Sequence, residues 1–337
     1  MSPQPIRRQS QVTSRQSDSR QSRLAIGDRR LRTVRLVTGD WRLMTGVFLL
    51  LVASPVSAAL TEAPRLAAVY DAILDAEFDR VDAQLKQTCP PAPEEACAAL
   101  GVVSVWWQIL INPESRVLDG RFNNLAAAAI AAGDRWTRRE PQRAEAWFYL
   151  AGSYAPLVQW RVLRGERLAA ARAGNTIRIA LERALQIDPA LDDAYFGIGL
   201  YHYYADVAPA TAKILRWLLF LPGGDRVKGL QEMLQAHQRG ALHTGEADYQ
   251  LHLLYLWYEK QPAQALALLE ALDARHPTNP LFLQRIADVQ ERWLHDRGAS
   301  AAAWQTLLDR SRAGHVYDAA RSERRARLAL AAIGRAR

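Results

Sequence analysis

After Ala58 the apolar residues recur at helical spacing, and the two-residue alternation of strands is almost absent. Alanine and leucine are abundant, and proline or glycine punctuates most of the segments. The pattern predicts helices over residues 64–87, 94–111, 113–139, 143–163, 177–187, 190–204, 209–221, 225–244, 245–259, 262–275, 280–296, 299–311 and 315–333. Pro64, Pro113, Pro209, Pro262 and Pro280 each open a segment, which suits a first helical turn where the missing N–H has no partner to lose. The expected fold class is all-α.

Three passages repeat one another. Trp147, Leu150, Ala151 and Tyr154 are followed by Leu181, Ala184 and Pro189; six residues later Tyr195, Ile198, Gly199 and His202 restart the pattern. Tyr249 and Leu253, then Ala265, Leu269, Leu272 and Pro277, make the third passage, and the same six-residue step separates Pro141 from Trp147. These residues resemble the tetratricopeptide repeat family, whose 34-residue unit is a helix–turn–helix with the pattern W-x2-L-G-x2-Y on its first helix. The resemblance implies a helical-hairpin solenoid, a right-handed superhelix here interrupted by insertions, in which Ala151, Gly199 and Ala265 are close-packing positions. The chain departs from the pattern through an insertion of about 14 residues after Tyr154, an extra apolar segment after the Tyr195 unit, and His252 where the family has leucine.

On that resemblance the first helices line a concave groove, with Glu145, Phe148, Asp193, Phe196, Tyr203, Tyr204, Gln250, Trp257 and Tyr258 facing it. Exposed aromatic side chains anchor binding hot spots, so a docked protein or peptide partner is one reading; rings covered by the chain's own helices are the other. Phe196 and Gln250 stand where carboxylate-clamping members carry lysine, which disfavours capture of a C-terminal tail.

The chain of 337 residues is 49% apolar and carries a net charge of +8. Residues 1–58 hold ten Arg, no Lys and three Asp, which accounts for +7 and leaves +1 for the rest, so no nucleic-acid partner is expected. Arg42, the apolar run 47–53, Ser54-Pro55 and Val56-Ser57-Ala58 read as an export signal cleaved after Ala58, with a retained anchor as the alternative. The expected organisation is a disordered Arg/Gln/Ser-rich extension over 1–40, from a start codon set too far upstream, and a signal peptide over 41–58. A helical hairpin over 59–112, the repeat array over 113–312 and a capping helix with a solvated basic face over 313–337 follow. A periplasmic or secreted product is the consequence. There Cys89 and Cys97 are expected to close a disulfide across the proline-rich segment between them, the alternative being free thiols. The segment Ile214–Leu221, the most apolar of the exported part, reads as core, with lipid or partner contact as its alternative.

Signals for chemistry are sparse. There is no Gly-rich phosphate loop, H-E-x-x-H or G-x-S-x-G in the chain. Glu114-Ser115 is similar to the catalytic pair of lytic transglycosylases, but the Gly-Leu-Met-Gln stretch of that family is missing, and Glu114 reads as a first-turn helix residue. His237, His243 and His252 lack the three- or four-residue spacing of a helical ligand pair. No cofactor, metal or catalysis is expected; a structural spacer that uses its outer faces, or an enzyme of unrecognised type, are the alternatives to partner binding.

Overall fold

The computed structural model describes residues 60–208 and 222–335. The expected export leader and the apolar segment Ile214–Leu221 lie outside the described residues, as does the helix expected over 209–221. Among the described residues there are thirteen α-helices and no strand: α1 (Ala63–Leu74), α2 (Phe78–Thr88), α3 (Glu94–Ile111), α4 (Asp119–Arg139), α5 (Ala144–Leu163), α6 (Arg167–Ile187), α7 (Ala194–Val207), α8 (Arg226–Arg239), α9 (Thr244–Leu254), α10 (Pro262–Arg275), α11 (Pro280–Arg292), α12 (Arg297–Arg312) and α13 (Ala319–Arg335). A π-helical turn, Tyr255–Glu259, extends α9. The fold is all-α, and each helix packs mainly on its neighbours in sequence.

Several helix bounds differ from the periodicity, each for a visible reason. The segment expected as one helix over 64–87 breaks at Ala76, whose φ of 57° is left-handed. The freed carbonyls at the end of α1 find remote donors: Asn279 Nδ2 reaches Leu74 O at 2.7 Å and Thr278 Oγ1 reaches Asp75 O at 2.5 Å. Helix α4 starts at Asp119, not Pro113, so Glu114 sits in a loop and not in a first helical turn. This loop is held by Arg164, whose guanidinium donates to Pro113 O, Ser115 O and both carboxylate oxygens of Asp119. The insertion after Tyr154 becomes helix: α5 runs on through the buried Pro156, and α6 begins ten residues earlier than the pattern indicated, the two joined by a turn at Gly165 with φ of 84°.

Helix α3 is apolar enough and long enough to cross a membrane by composition alone, yet 61% of it is buried within the fold. Trp106 and Trp107 are fully enclosed there, and α1, α2, α4 and α5 surround it. The Cys89–Cys97 disulfide, with Cα atoms 6.3 Å apart, closes the loop between α2 and α3. Helices α7 and α8 approach most closely at two glycines, where a Cβ on Gly199 would lie 2.7 Å from Gly229 O and one on Gly229 would lie 2.6 Å from Gly199 O. One continuous apolar core runs from Leu60 to Ile333, with a smaller cluster between α7, α8 and α9 that includes Phe196, Tyr203, Met233 and Leu251.

Candidate functional site

The nine positions assigned to the groove divide into two groups. Glu145, Phe148, Asp193, Phe196, Tyr203 and Gln250 are buried, whereas Tyr204, Trp257 and Tyr258 are 37%, 54% and 39% exposed.

The buried group is occupied by other parts of the chain. Its centre is His243, from the turn before α9, whose ring lies 5.4 Å from Phe148, 5.3 Å from Phe196 and 5.6 Å from Tyr70 of α1. Asp193 fixes that turn, because its carboxylate accepts from the backbone N–H groups of Ala241, Leu242 and His243 at 2.9–3.0 Å. Glu145 accepts from the backbone and hydroxyl of Thr61 and pairs with Arg143, so it anchors the chain as it enters α1. Gln250 donates to Gln159 and to Glu246. Glu246 is itself a buried carboxylate that receives Tyr70 Oη and Trp107 Nε1 at 3.0 Å each. Three donors satisfy its charge, which makes burial tolerable. Burial, then the Glu246 charge, pushes the Tyr70 hydroxyl pKa well above its usual value.

The exposed group sits where α7 meets the π turn. Tyr204 and Tyr258 meet edge to face at 5.8 Å, and the buried Tyr203 lies under both at 5.9 and 5.8 Å. Trp257 stands edge-on to Trp293 of the α11 terminus at 5.1 Å. The wide π turn lets Trp257, Tyr258 and Glu259 be presented together, and Lys260, with φ of 58°, ends it by returning its ammonium to Trp257 O at 2.8 Å. Beneath the rings Glu259 receives Arg226 through Nε and Nη2, at 2.8 and 2.5 Å, and also the Tyr203 hydroxyl. The Arg226 hydrogen bonds hold the Glu259 carboxyl below its usual pKa. The rings therefore rest on a fixed base. Such a surface buries apolar area on contact with little loss of side-chain freedom.

The pattern alone did not reveal Tyr70, His243, Glu246, Arg226 or the π turn, because none occupies a repeat position. Of the histidines singled out, His237 pairs with Asp248 at 2.6 Å, a hydrogen bond that raises its pKa. His252 is fully buried with neither ring nitrogen hydrogen-bonded, and burial, then the Arg285 charge, lowers its pKa to about 3. It is a neutral core residue at neutral pH. No group of three or more His, Cys, Asp or Glu able to hold a metal occurs among the described residues. No protein-family model matches the chain, and no curated protein matches it significantly.

Proposed function

We propose that the chain is an exported helical-repeat scaffold of the tetratricopeptide type, which binds a protein or peptide through the aromatic edge formed by Tyr204, Trp257 and Tyr258. The exposure of these three rings on a rigid base carries the reading. The partner's complementary chemistry is an apolar or aromatic segment. A binding role without catalysis is the reading that the exposed rings support.

The repeat assignment is supported by an interaction that recurs with the pattern. Trp147 Nε1 donates to Pro141 O at 3.0 Å, and Tyr195 Oη donates to Pro189 O at 3.1 Å. In each case the aromatic that starts a first helix ties back to the proline carbonyl six residues before it. Ala151 and Ala265 are buried and Gly199 is a close helix crossing, as small packing positions require. Export is supported by the Cys89–Cys97 disulfide, a bond that persists in oxidising compartments.

The test is a crosslinking capture from an envelope fraction with the tagged wild-type chain beside the Tyr204→Ala, Trp257→Ala double variant, with folding checked by circular dichroism. A captured protein lost in the folded double variant is the expected result. Identical captured sets would place binding, if any, on another face and would favour a spacer that works through its outer surfaces.

A further inference from the structure

Many arginines of the described fold have an acidic partner. Arg164 pairs with Asp119, Arg226 with Glu259, Arg275 with Asp248, Arg310 with Asp273 and Arg327 with Glu323. Among the described residues, one cleft gathers three that form no such pair beside a fourth. Its volume is about 360 Å³, and Arg285 of α11 and Arg321, Arg324 and Arg325 of α13 line it together with Glu114 and Gln284. Its ionisable groups sum to a net charge of +3. Among the described residues Arg321, Arg324 and Arg325 form no ion pair, and Arg285 pairs with Asp288 at 3.6 Å and lies beside Tyr249.

Four guanidinium groups from two helices do not gather at no cost. Like charges repel, and a bound anion relieves that repulsion. Desolvation in the cleft and the neighbouring charges of Arg285 and Arg321 hold the Arg325 guanidinium below its usual pKa, against the pull of Asp288 and Glu114. Arg285 Nε is buried without a hydrogen-bond partner. The sequence pattern predicts a basic face pointing at solvent, and Arg324, Arg325 and Arg327 are exposed there; Arg321, Arg324 and Arg325 at the same time border a cleft shared with Arg285 and Glu114. Leu110, Leu281 and Leu328 supply an apolar rim, as small-molecule sites usually have.

We infer that this cleft is a binding site for a small multivalent anion, a phosphate ester or a di- or tricarboxylate, held by the guanidinium groups of Arg285, Arg321, Arg324 and Arg325. Guanidinium groups match both anions through paired N–H donors, and Gln284 adds a neutral donor for a third oxygen. The volume falls in the range of about 300–1,000 Å³ typical of small-ligand sites, so a compact molecule fits. Glu114 at the mouth disfavours a ligand that is negative throughout and favours one with a neutral or hydroxylated end. The site is independent of the aromatic edge: it uses none of the same residues.

The experiment is isothermal titration calorimetry of the mature, disulfide-bonded chain with pyrophosphate and with citrate at fixed ionic strength, with acetate as the monovalent control. Saturable binding of pyrophosphate or citrate, with acetate silent, is expected, and the tighter of the two identifies phosphate or carboxylate as the recognised group. Arg324→Gln with Arg325→Gln should weaken it at least about tenfold, because each charge-assisted hydrogen bond contributes that much, while Arg138→Gln on an exposed face of α4 leaves it unchanged. Hydrogen exchange of the wild-type chain then locates the ligand without any variant: protection confined to 281–285 and 319–328 supports the site. No saturable binding at millimolar anion, equal affinity in the double variant, or protection elsewhere overturns it.

Discussion

Phe148 and Phe196 occupy the same kind of position in the repeat pattern as Tyr204 and Tyr258, yet the first two are enclosed and the last two face solvent. The difference lies in what else reaches each place. Around Phe148 and Phe196 the chain supplies Tyr70 from α1, His243 from the turn before α9, and a set of buried carboxylates that pin both. Around Tyr204 and Tyr258 the described neighbours are Tyr203, Arg226 and Glu259, which support the rings from beneath and leave 37% and 39% of them exposed. Repeat position fixes which way a side chain leaves its helix; remote chain segments decide whether a partner can meet it.

The largest expected effect comes from the lock on the closed side. Glu246→Ala leaves Tyr70 Oη and Trp107 Nε1 without their acceptor in a buried place, and Gln250 with Gln159 alone, and is expected to cost about 3 kcal/mol or more in urea unfolding. A cost below about 1 kcal/mol would mean that the network does not hold α1 in place.

Acid has a comparable effect through His252. Its folded pKa of about 3 is depressed from an unfolded 6.5, so the unfolded chain binds a proton first and stability falls as pH drops from 6.5 toward 3. His252→Leu removes this loss, and at pH 4 it should exceed wild type by about 3 kcal/mol, taking about 1.4 kcal/mol for each pH unit. His237 acts in the opposite sense: its pKa is raised by Asp248, so its contribution is present below the unfolded value and is lost as pH rises through the folded one. Urea unfolding across pH separates the two, since His237→Gln changes the upper limb and His252→Leu the lower.

On the open side, Gly229→Ala puts a methyl against Gly199 O and the Tyr203 backbone and should cost about 2 kcal/mol while disturbing the base of the aromatic edge. The smallest effect on stability is expected from Tyr204→Ala with Trp257→Ala. Trp257 is 54% and Tyr204 37% exposed, and the lost ring contacts with Tyr203, Tyr258 and Trp293 should cost about 1 kcal/mol in thermal unfolding. A large loss would show that the rings are structural.

The helical class was legible because apolar spacing and helix-opening prolines are local; α3 and α10 begin and end where the pattern places them. The break between α1 and α2 was not, since its cause, donation from Thr278 and Asn279, lies about 200 residues away in sequence. The early start of α6 was missed for another reason. Polar residues over 164–176 dilute the apolar signal, and the helices there are held through Arg164 and the buried Ala170 and Ala173 instead of a broad apolar stripe. Of the candidate groove, residue types were readable, whereas the covering of Phe148 by His243 depends on Asp193 capping a turn 48 to 50 residues further along. The basic cleft was hidden for the same reason: Arg285 and Arg325 lie 40 residues apart, and only the fold brings both to one cleft.

Hydroxyl-radical footprinting of the mature chain, read residue by residue by mass spectrometry, tests the division between closed and open rings most directly. Fast labelling of Tyr204, Trp257 and Tyr258 with slow labelling of Phe148, Phe196 and Trp107 is the predicted result. Labelling of Phe148 and Phe196 at the rate of Trp257 would contradict it, because the groove would then be open along its length and α1 would not be its occupant.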